Sequence, residues 1–207
     1  KQAHQYKQVG SVIFIDLNRF KPINDAMGHI VGDKILLTFA NRLRALANED
    51  IDIGRFGGDE FVILLKNLSV DYAESIRSVI GKINQSLSVP FVVDANSYKL
   101  SCSIGYALFP LQSSTVNNLI KFSDIAMYEA KRSSNLQGVQ YQPIMFEKIK
   151  KRIAYVEDMK QGLLQGDFRL HYQAQFNHYG DVIGAEALLR WQHPVHGKES
   201  PAVYIPI

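Results

Sequence analysis

Only one cysteine, Cys102, stands among the 207 residues, so no intrachain disulfide can form and the chain suits a reducing compartment. A cytoplasmic location is the expectation. Cys102 falls in an apolar strand pattern and reads as inert core. No apolar run approaches the roughly 18 residues that a membrane helix needs, and no signal peptide is visible. There is no long basic block, and the net charge is only +3, which argues against nucleic acid as a partner. The chain opens at Lys1 without methionine and stops at Ile207 within a motif, so it reads as a piece of a longer protein whose anchor or sensor would lie elsewhere. What is present is ordinary for a globular protein. With 46% hydrophobic and 21% charged residues, there is enough for one full core and part of another.

The stretch that organises the rest is Arg55-Phe56-Gly57-Gly58-Asp59-Glu60-Phe61-Val62-Ile63-Leu64-Leu65. Phe61 to Leu65 is a continuous apolar run of strand length, as expected for a buried strand. Gly57-Gly58 is a turn signal, so the run reads as one arm of a hairpin with Asp59 and Glu60 at its mouth. Neighbours along a strand point to opposite faces, so the two acids need not share a task. A glycine pair lets backbone approach a ligand, and an acid beside it can hold a cation. Taken alone, the stretch also reads as a tight turn followed by solvated acids. A second buried-strand run, Ser11 to Asn18, carries Asp16 near its end. Side by side, the two runs would bring Asp16 close to Asp59. Carboxylates that close repel unless a divalent cation sits between them, which is the arrangement of a metal–phosphate site.

Taken in order, Lys1 to Gly10 read as the end of a helix, Ser11 to Leu17 as a strand and Phe20 to Ile23 as a short loop, with Pro22 and Asn24 favouring a turn or helix start. From Gly32, the positions Ile35, Phe39, Leu43 and Leu46 repeat at helical spacing. Ile51 to Leu65 form the central hairpin. Tyr72, Ile76, Val79, Ile80, Ile83 and Leu87 mark a second helix, which Pro90 closes. Phe91 to Val93 and Tyr98 to Leu108 read as a second hairpin around Asp94 to Ser97. Leu119, Phe122, Ala126 and Ala130 mark a third helix, and Val139 to Tyr141 a final short strand. This order predicts an α+β fold, a mainly antiparallel sheet with helices on its faces. Pro143 then opens a charged helix, with Lys148, Lys150, Lys151 and Arg152 on its solvated face. Phe168 to Gln175 and Val182 to Trp191 are two more strands, joined at Tyr179-Gly180-Asp181.

Phe14-Ile15-Asp16-Leu17-Asn18-Arg19-Phe20-Lys21, then Asn24-Asp25, Gly28-His29, Gly32-Asp33 and Gly57-Gly58-Asp59-Glu60-Phe61, together resemble a GGDEF domain from about Val12 to Tyr141. That family condenses two GTP into cyclic di-GMP, on a fold similar to the palm of nucleotide polymerases and nucleotidyl cyclases. The resemblance implies Mg²⁺ or Mn²⁺ held by the carboxylates of Asp16 and Asp59 and the carbonyl of Leu17. It implies Asp59 and Glu60 as catalytic groups. Lys21, the loop amides from Asn18 to Phe20, and Lys131 would meet phosphates. Gly57 and Gly58 would let the nucleotide approach. Asn24 and Asp33 would read guanine, since a carboxylate accepts from N1–H and N2–H₂ together. A helix cap at Asp33 and a cation favoured by the helix dipole at Lys131 are the competing readings.

The chain also departs from the family. A-K-x-x-G-R-N reads Ala130-Lys131-Arg132-Ser133-Ser134-Asn135, so the arginine after glycine is missing, with Arg132 the nearest substitute. Asn18 replaces a second aspartate. The feedback motif R-x-x-D reads Asn48-Glu49-Asp50-Ile51, so no product inhibition is expected there.

Tyr172-Gln173, Gly184-Ala185-Glu186-Ala187-Leu188-Leu189-Arg190-Trp191 and His193-Pro194 resemble the opening of an EAL domain. That family hydrolyses cyclic di-GMP on a (β/α)8 barrel, with Gln173, Glu186 and Arg190 at metal or substrate positions by resemblance. A barrel of that kind takes about 250 residues, so only a truncated start is present. The expected layout is a GGDEF domain over 1–142, a linker helix over 143–166 and the EAL start over 167–207. The isolated strands call for a cover, and contact with another copy of the chain is the favoured one. The reading that follows is a bacterial diguanylate cyclase acting as a homodimer on GTP. The alternative is a GTP-binding regulatory GGDEF module that controls a downstream EAL phosphodiesterase.

Overall fold

The computed structural model describes residues 9–69, 71–133, 135 and 137–205. The reading of a helix end falls, for residues 1–8, outside them. The chain divides into two compact units at Met145/Phe146. The first runs β1 (Val9–Leu17), α1 (Phe20–Met27), α2 (His29–Arg44), β2 (Ile51–Gly57), β3 (Glu60–Leu68), α3 (Tyr72–Ser88), β4 (Phe91–Val93), β5 (Asn96–Tyr98), β6 (Cys102–Phe109), α4 (Val116–Ser133) and β7 (Val139–Gln140).

Five strands form one sheet in the order β2-β3-β1-β6-β7. All neighbours are antiparallel except β6 and β7. Central β1 is buried almost throughout, because both its faces are covered. Ile13, Ile15 and Leu17 share one core with Phe39 and Leu43 of α2 and with Ile76, Ile80 and Ile83 of α3. On the opposite face, α4 lies directly on β6, and a Cβ at Gly105 would run into the α4 backbone at Met127, Ala126 and Ser123.

Two local expectations are corrected. The loop expected over Phe20 to Ile23 is the first turn of α1. Arg19 enters the left-handed region at φ 58° ahead of it, and Pro22 lies early enough in the helix that its missing N–H breaks no bond. The second hairpin is shorter than expected: β4 and β5 pair alone around Asp94 and Ala95, whose φ angles are 48° and 66°. Lys99 to Ser101 then leave the ribbon. Cys102 to Phe109 cross into the main sheet beside β1, where alternate residues are buried on both faces.

The second unit contains most of α5 (Pro143–Gln165), then β8 (Phe168–Phe176), β9 (Val182–His193), β10 (Gly197–Glu199) and α6 (Pro201–Tyr204). Its strands form an antiparallel sheet ordered β10-β9-β8, and no closed barrel exists among the described residues. Trp191 is its core. Phe168 stacks on it at 5.0 Å, and Tyr155 of α5 and Tyr204 of α6 meet it edge-on at 5.6 Å each. Gly162 leaves room for the indole, since a Cβ there would come 2.9 Å from its Nε1. The cover over Trp191 is therefore this chain's own helix and not the second copy that was favoured. The arms of β8 and β9 remain open, with Leu170, Tyr172, Val182 and Ile183 exposed. Among the described residues no helix is long and apolar enough to cross a membrane.

Candidate functional site

Register places the site. Asp16 of β1 lies opposite Glu60 of β3 on one side and Ser103 of β6 on the other. The three residues form one row across the sheet, on the face that carries α4. Asp59 is one step beyond, in the β2–β3 turn. There Gly58 takes φ 45°, and Arg55 donates from Nε and Nη2 to the Gly58 carbonyl at 3.0 and 2.7 Å. The Leu17 N–H donates to the Asp59 carbonyl at 3.3 Å, which ties this turn to the end of β1.

The electrostatics follow from that row. Burial holds the Asp16 carboxyl above the usual aspartate range; Lys131 pulls it back and Asp59 pushes it up again. The Lys131 ammonium donates to Asp16 Oδ1 at 2.7 Å. Glu60 is raised by burial, then by Asp124, Asp16 and Asp59, and Asp124 by burial and then Asp16. Four carboxylates thus press on one another, with one ammonium among them. An oxygen-rich, over-negative cluster fits a hard divalent cation, and Lys131 already stands on Asp16 as a cation would. Among the described residues no three His, Cys, Asp or Glu side chains form a ready metal cage. Backbone and phosphate oxygens would have to complete the coordination. Burial, with the Asp16 charge behind it, pushes the Cys102 thiol up to about 12, so it stays protonated.

At the other end of the expected site, Gly28 at φ 83° turns α1 into α2. Gly32 then lies against the Asn24 amide, whose Oδ1 is buried with no partner among the described residues. Asp33, next in sequence, is exposed. The Asn24 and Asp33 pair is therefore brought to one helix–helix corner with an acceptor to spare. Below the end of β1 lies a cavity of about 790 Å³, lined by Asn18, Arg19, Lys99, Ser103 and Lys131 among others.

Residues 1–137 match the family described as diguanylate cyclase, GGDEF domain. The chain belongs to the GGDEF family. Among curated relatives, a bifunctional diguanylate cyclase/cyclic di-GMP phosphodiesterase, MucR of Pseudomonas aeruginosa, is 35% identical over 198 residues, 95% of this chain and 28% of that protein. The cyclic di-GMP phosphodiesterase PdeR of Escherichia coli is 32% identical over 194 residues, 94% of this chain and 29% of that protein. The chain thus spans under a third of the length of these relatives. Among solved structures, the GGDEF domain of YfiN (TpbB) of P. aeruginosa superposes with a TM-score of 0.64 at 34% identity, over 68% of this chain and 87% of that one. The active GGEEF domain of a Vibrio cholerae diguanylate cyclase gives 0.58 at 29% identity, over 68% and 88%.

In this GGDEF domain several expected residues take more specific places. The Phe20 side chain is core, 4% exposed, so only its backbone faces the loop. Lys21 is exposed in the first turn of α1, and Gly57 ends β2. Leu17 is buried. Lys131 holds Asp16 and does not merely complement the end of its helix. Arg132 lies 3.6 Å from Glu129, on its own helix. Asn18 donates to Ser101 Oγ at 3.1 Å and accepts from Ser103 Oγ at 2.8 Å, so it is a strut where the family carries a charge. In the second unit, Gln173 pairs across the strands with Glu186, and Arg190 shares the Glu186 face of β9 and donates to the Leu189 carbonyl at 3.0 Å.

Two residues escaped the sequence reading, Asp124 and Lys99, and of Arg19 only the backbone amide was read. Asp124 is detectable in principle, since it lies seven residues before Lys131 and so on the same helix face. Lys99 and the Arg19 side chain carry no such signal, since only the fold brings them to one cavity.

Proposed function

We propose that this GGDEF domain is a GTP-binding module that regulates an attached phosphodiesterase domain and has little cyclase activity of its own. In this reading residues 1–142 form the GGDEF domain, 143–166 the linker helix and 167–207 the opening of an EAL domain. The observation that carries it is the imbalance of the site. Both residues expected to read guanine, Asn24 and Asp33, are present at the turn between α1 and α2. The phosphate arm lacks the family's arginine, and Lys131 is engaged with Asp16. Relatives that carry cyclic di-GMP phosphodiesterase activity in their names align along almost the whole chain, the second unit included.

Asp33 would accept from guanine N1–H and N2–H₂, a pair that adenine lacks. Lys21, the amides leading into α1 and, once released, Lys131 would meet the phosphates, with Gly57 and Gly58 giving them room. Asp16, Asp59 and the Leu17 carbonyl would hold Mg²⁺ or Mn²⁺. Such a cation would neutralise phosphate charge and lower the pKa of a ribose 3′-hydroxyl. Gln173, Glu186 and Arg190 would serve a complete EAL domain and not this fragment.

A second reading, an active diguanylate cyclase, is favoured by the convergence of Asp16, Asp59 and Glu60 on one corner. Two copies would face each other, each with one GTP, and the 3′-hydroxyl of one would attack the α-phosphorus of the other with loss of pyrophosphate. Incubation of this chain with GTP and Mg²⁺, followed by chromatography of products and calorimetry of binding, separates the two. The regulatory reading expects GTP binding with little or no cyclic di-GMP. Rapid formation of cyclic di-GMP would support the cyclase, and absence of GTP binding would overturn both.

A further inference from the structure

The cavity below β1 has a charge pattern that the missing arginine makes significant. Its lining holds three cations, Arg19, Lys99 and Lys131, and no carboxylate. Asp16, to which Lys131 donates, lies outside that lining, so the cavity is the cationic side of the site. Lys131 is held by Asp16 and Arg132 by Glu129. Arg19 and Lys99 have no anionic partner among the described residues.

Lys99 is also held in place by its neighbours. It lies between β5 and β6, two residues before Ser101. The Ser101 carbonyl accepts from the Asn18 N–H at 2.8 Å, and its Oγ accepts from the Asn18 side chain at 3.1 Å. This double tether fixes the Lys99 segment against the loop that leads into α1, where Arg19 takes its left-handed φ of 58°. Two unpaired cations on tethered backbone, facing one cavity, form an anion site.

We propose that Lys99, with Arg19 beside it, holds the terminal phosphate of the bound nucleotide and replaces the arginine that the motif would carry four residues after Lys131, where this chain has Asn135. This rests on the GTP-binding reading and adds to it where the triphosphate ends. A lysine supplies a point charge without the two-pronged geometry of arginine. It would retain GTP while fixing the direction of the triphosphate less tightly.

The test measures binding of GTP, GDP and guanosine to the 207-residue chain with Mg²⁺, for wild type, Lys99→Ala, Lys99→Arg and the exposed control Lys82→Ala. Loss of one charge-assisted contact weakens GTP binding by about tenfold. Guanosine should be unaffected, Lys99→Arg should restore most of the loss, and Lys82→Ala should match wild type. GTP binding unchanged in Lys99→Ala overturns the inference and leaves the GTP-binding reading standing. Equal weakening of GTP and guanosine also overturns it, since that marks a structural role. A wild-type chain that binds no guanine nucleotide overturns both.

Discussion

Gly105→Ala tests whether the site depends on the closeness of α4 to the sheet. Gly105 lies on β6 opposite Phe14 of β1 and Val139 of β7. A Cβ added there meets the Met127 nitrogen, the Ala126 carbonyl carbon and the Ser123 carbonyl oxygen. All three atoms are helix backbone, so no rotamer change relieves the overlap. Each lies roughly 1 Å or more inside the 3.5–4.0 Å of ordinary contact. Either α4 retreats by about that distance or the sheet bends. Overpacking of this kind costs about 1–3 kcal/mol, and a backbone obstacle puts this substitution at the upper end, about 3 kcal/mol. For a chain of this size that is a fall in Tm of about 6–12 °C. The same retreat draws Lys131 out of the cavity it lines, so GTP affinity should fall with stability. Far-UV circular dichroism in urea is the appropriate assay, because the only tryptophan, Trp191, belongs to the other unit and does not report on this one. A midpoint within error of wild type, with GTP binding intact, would falsify the account of α4 packing.

Other outcomes follow from single contacts. Arg42 donates to the carbonyls of Ser86, Val89 and Pro90 at 2.7, 2.5 and 2.9 Å and covers the Phe91 ring at 4.1 Å. Arg42→Ala should cost about 2 kcal/mol in urea denaturation, and Arg42→Lys should recover less than half; full recovery by lysine would refute the role of the planar fork. Glu60 is raised by burial and by three carboxylates. A raised carboxyl penalises the fold above its folded pKa, and the penalty fades as pH falls through it. In EDTA, Glu60→Gln should therefore be more stable than wild type at neutral pH and lose that advantage near the ordinary glutamate value of about 4.3; an advantage independent of pH would exclude charge as the cause. Asp33→Ala should abolish the preference for GTP over ATP in calorimetry, and a mutant that still discriminates would place the guanine reader elsewhere. Cyclic di-GMP should not protect the Asn48–Ile51 segment from hydrogen exchange, since neither Arg nor Asp stands at the motif ends; strong protection there would contradict this.

The sheet and its glycine turn were legible because their signals are local. Apolar runs ending in Asp16 and following Gly57-Gly58 announce two buried strands and a hairpin mouth within a few residues each. The spaced set from Phe14 to Phe61 also carried the family, which the match over residues 1–137 bears out. Helix α1 and the short β4–β5 ribbon were misread because their boundaries depend on single backbone conformations, at Arg19 and at Asp94-Ala95, that composition does not mark. What only the tertiary structure decided is who faces whom. The row Glu60, Asp16, Ser103 exists because antiparallel register aligns three strands distant in sequence. Lys131 reaches Asp16 across 115 positions because Gly105 lets α4 lie against β6. Asp124 joins the carboxylates by helix phase, and Lys99 and Arg19 meet at one cavity because Asn18 ties two loops together. Side-chain chemistry is written residue by residue, but the electric field at a site is a sum over distances, and those distances are set by register and packing.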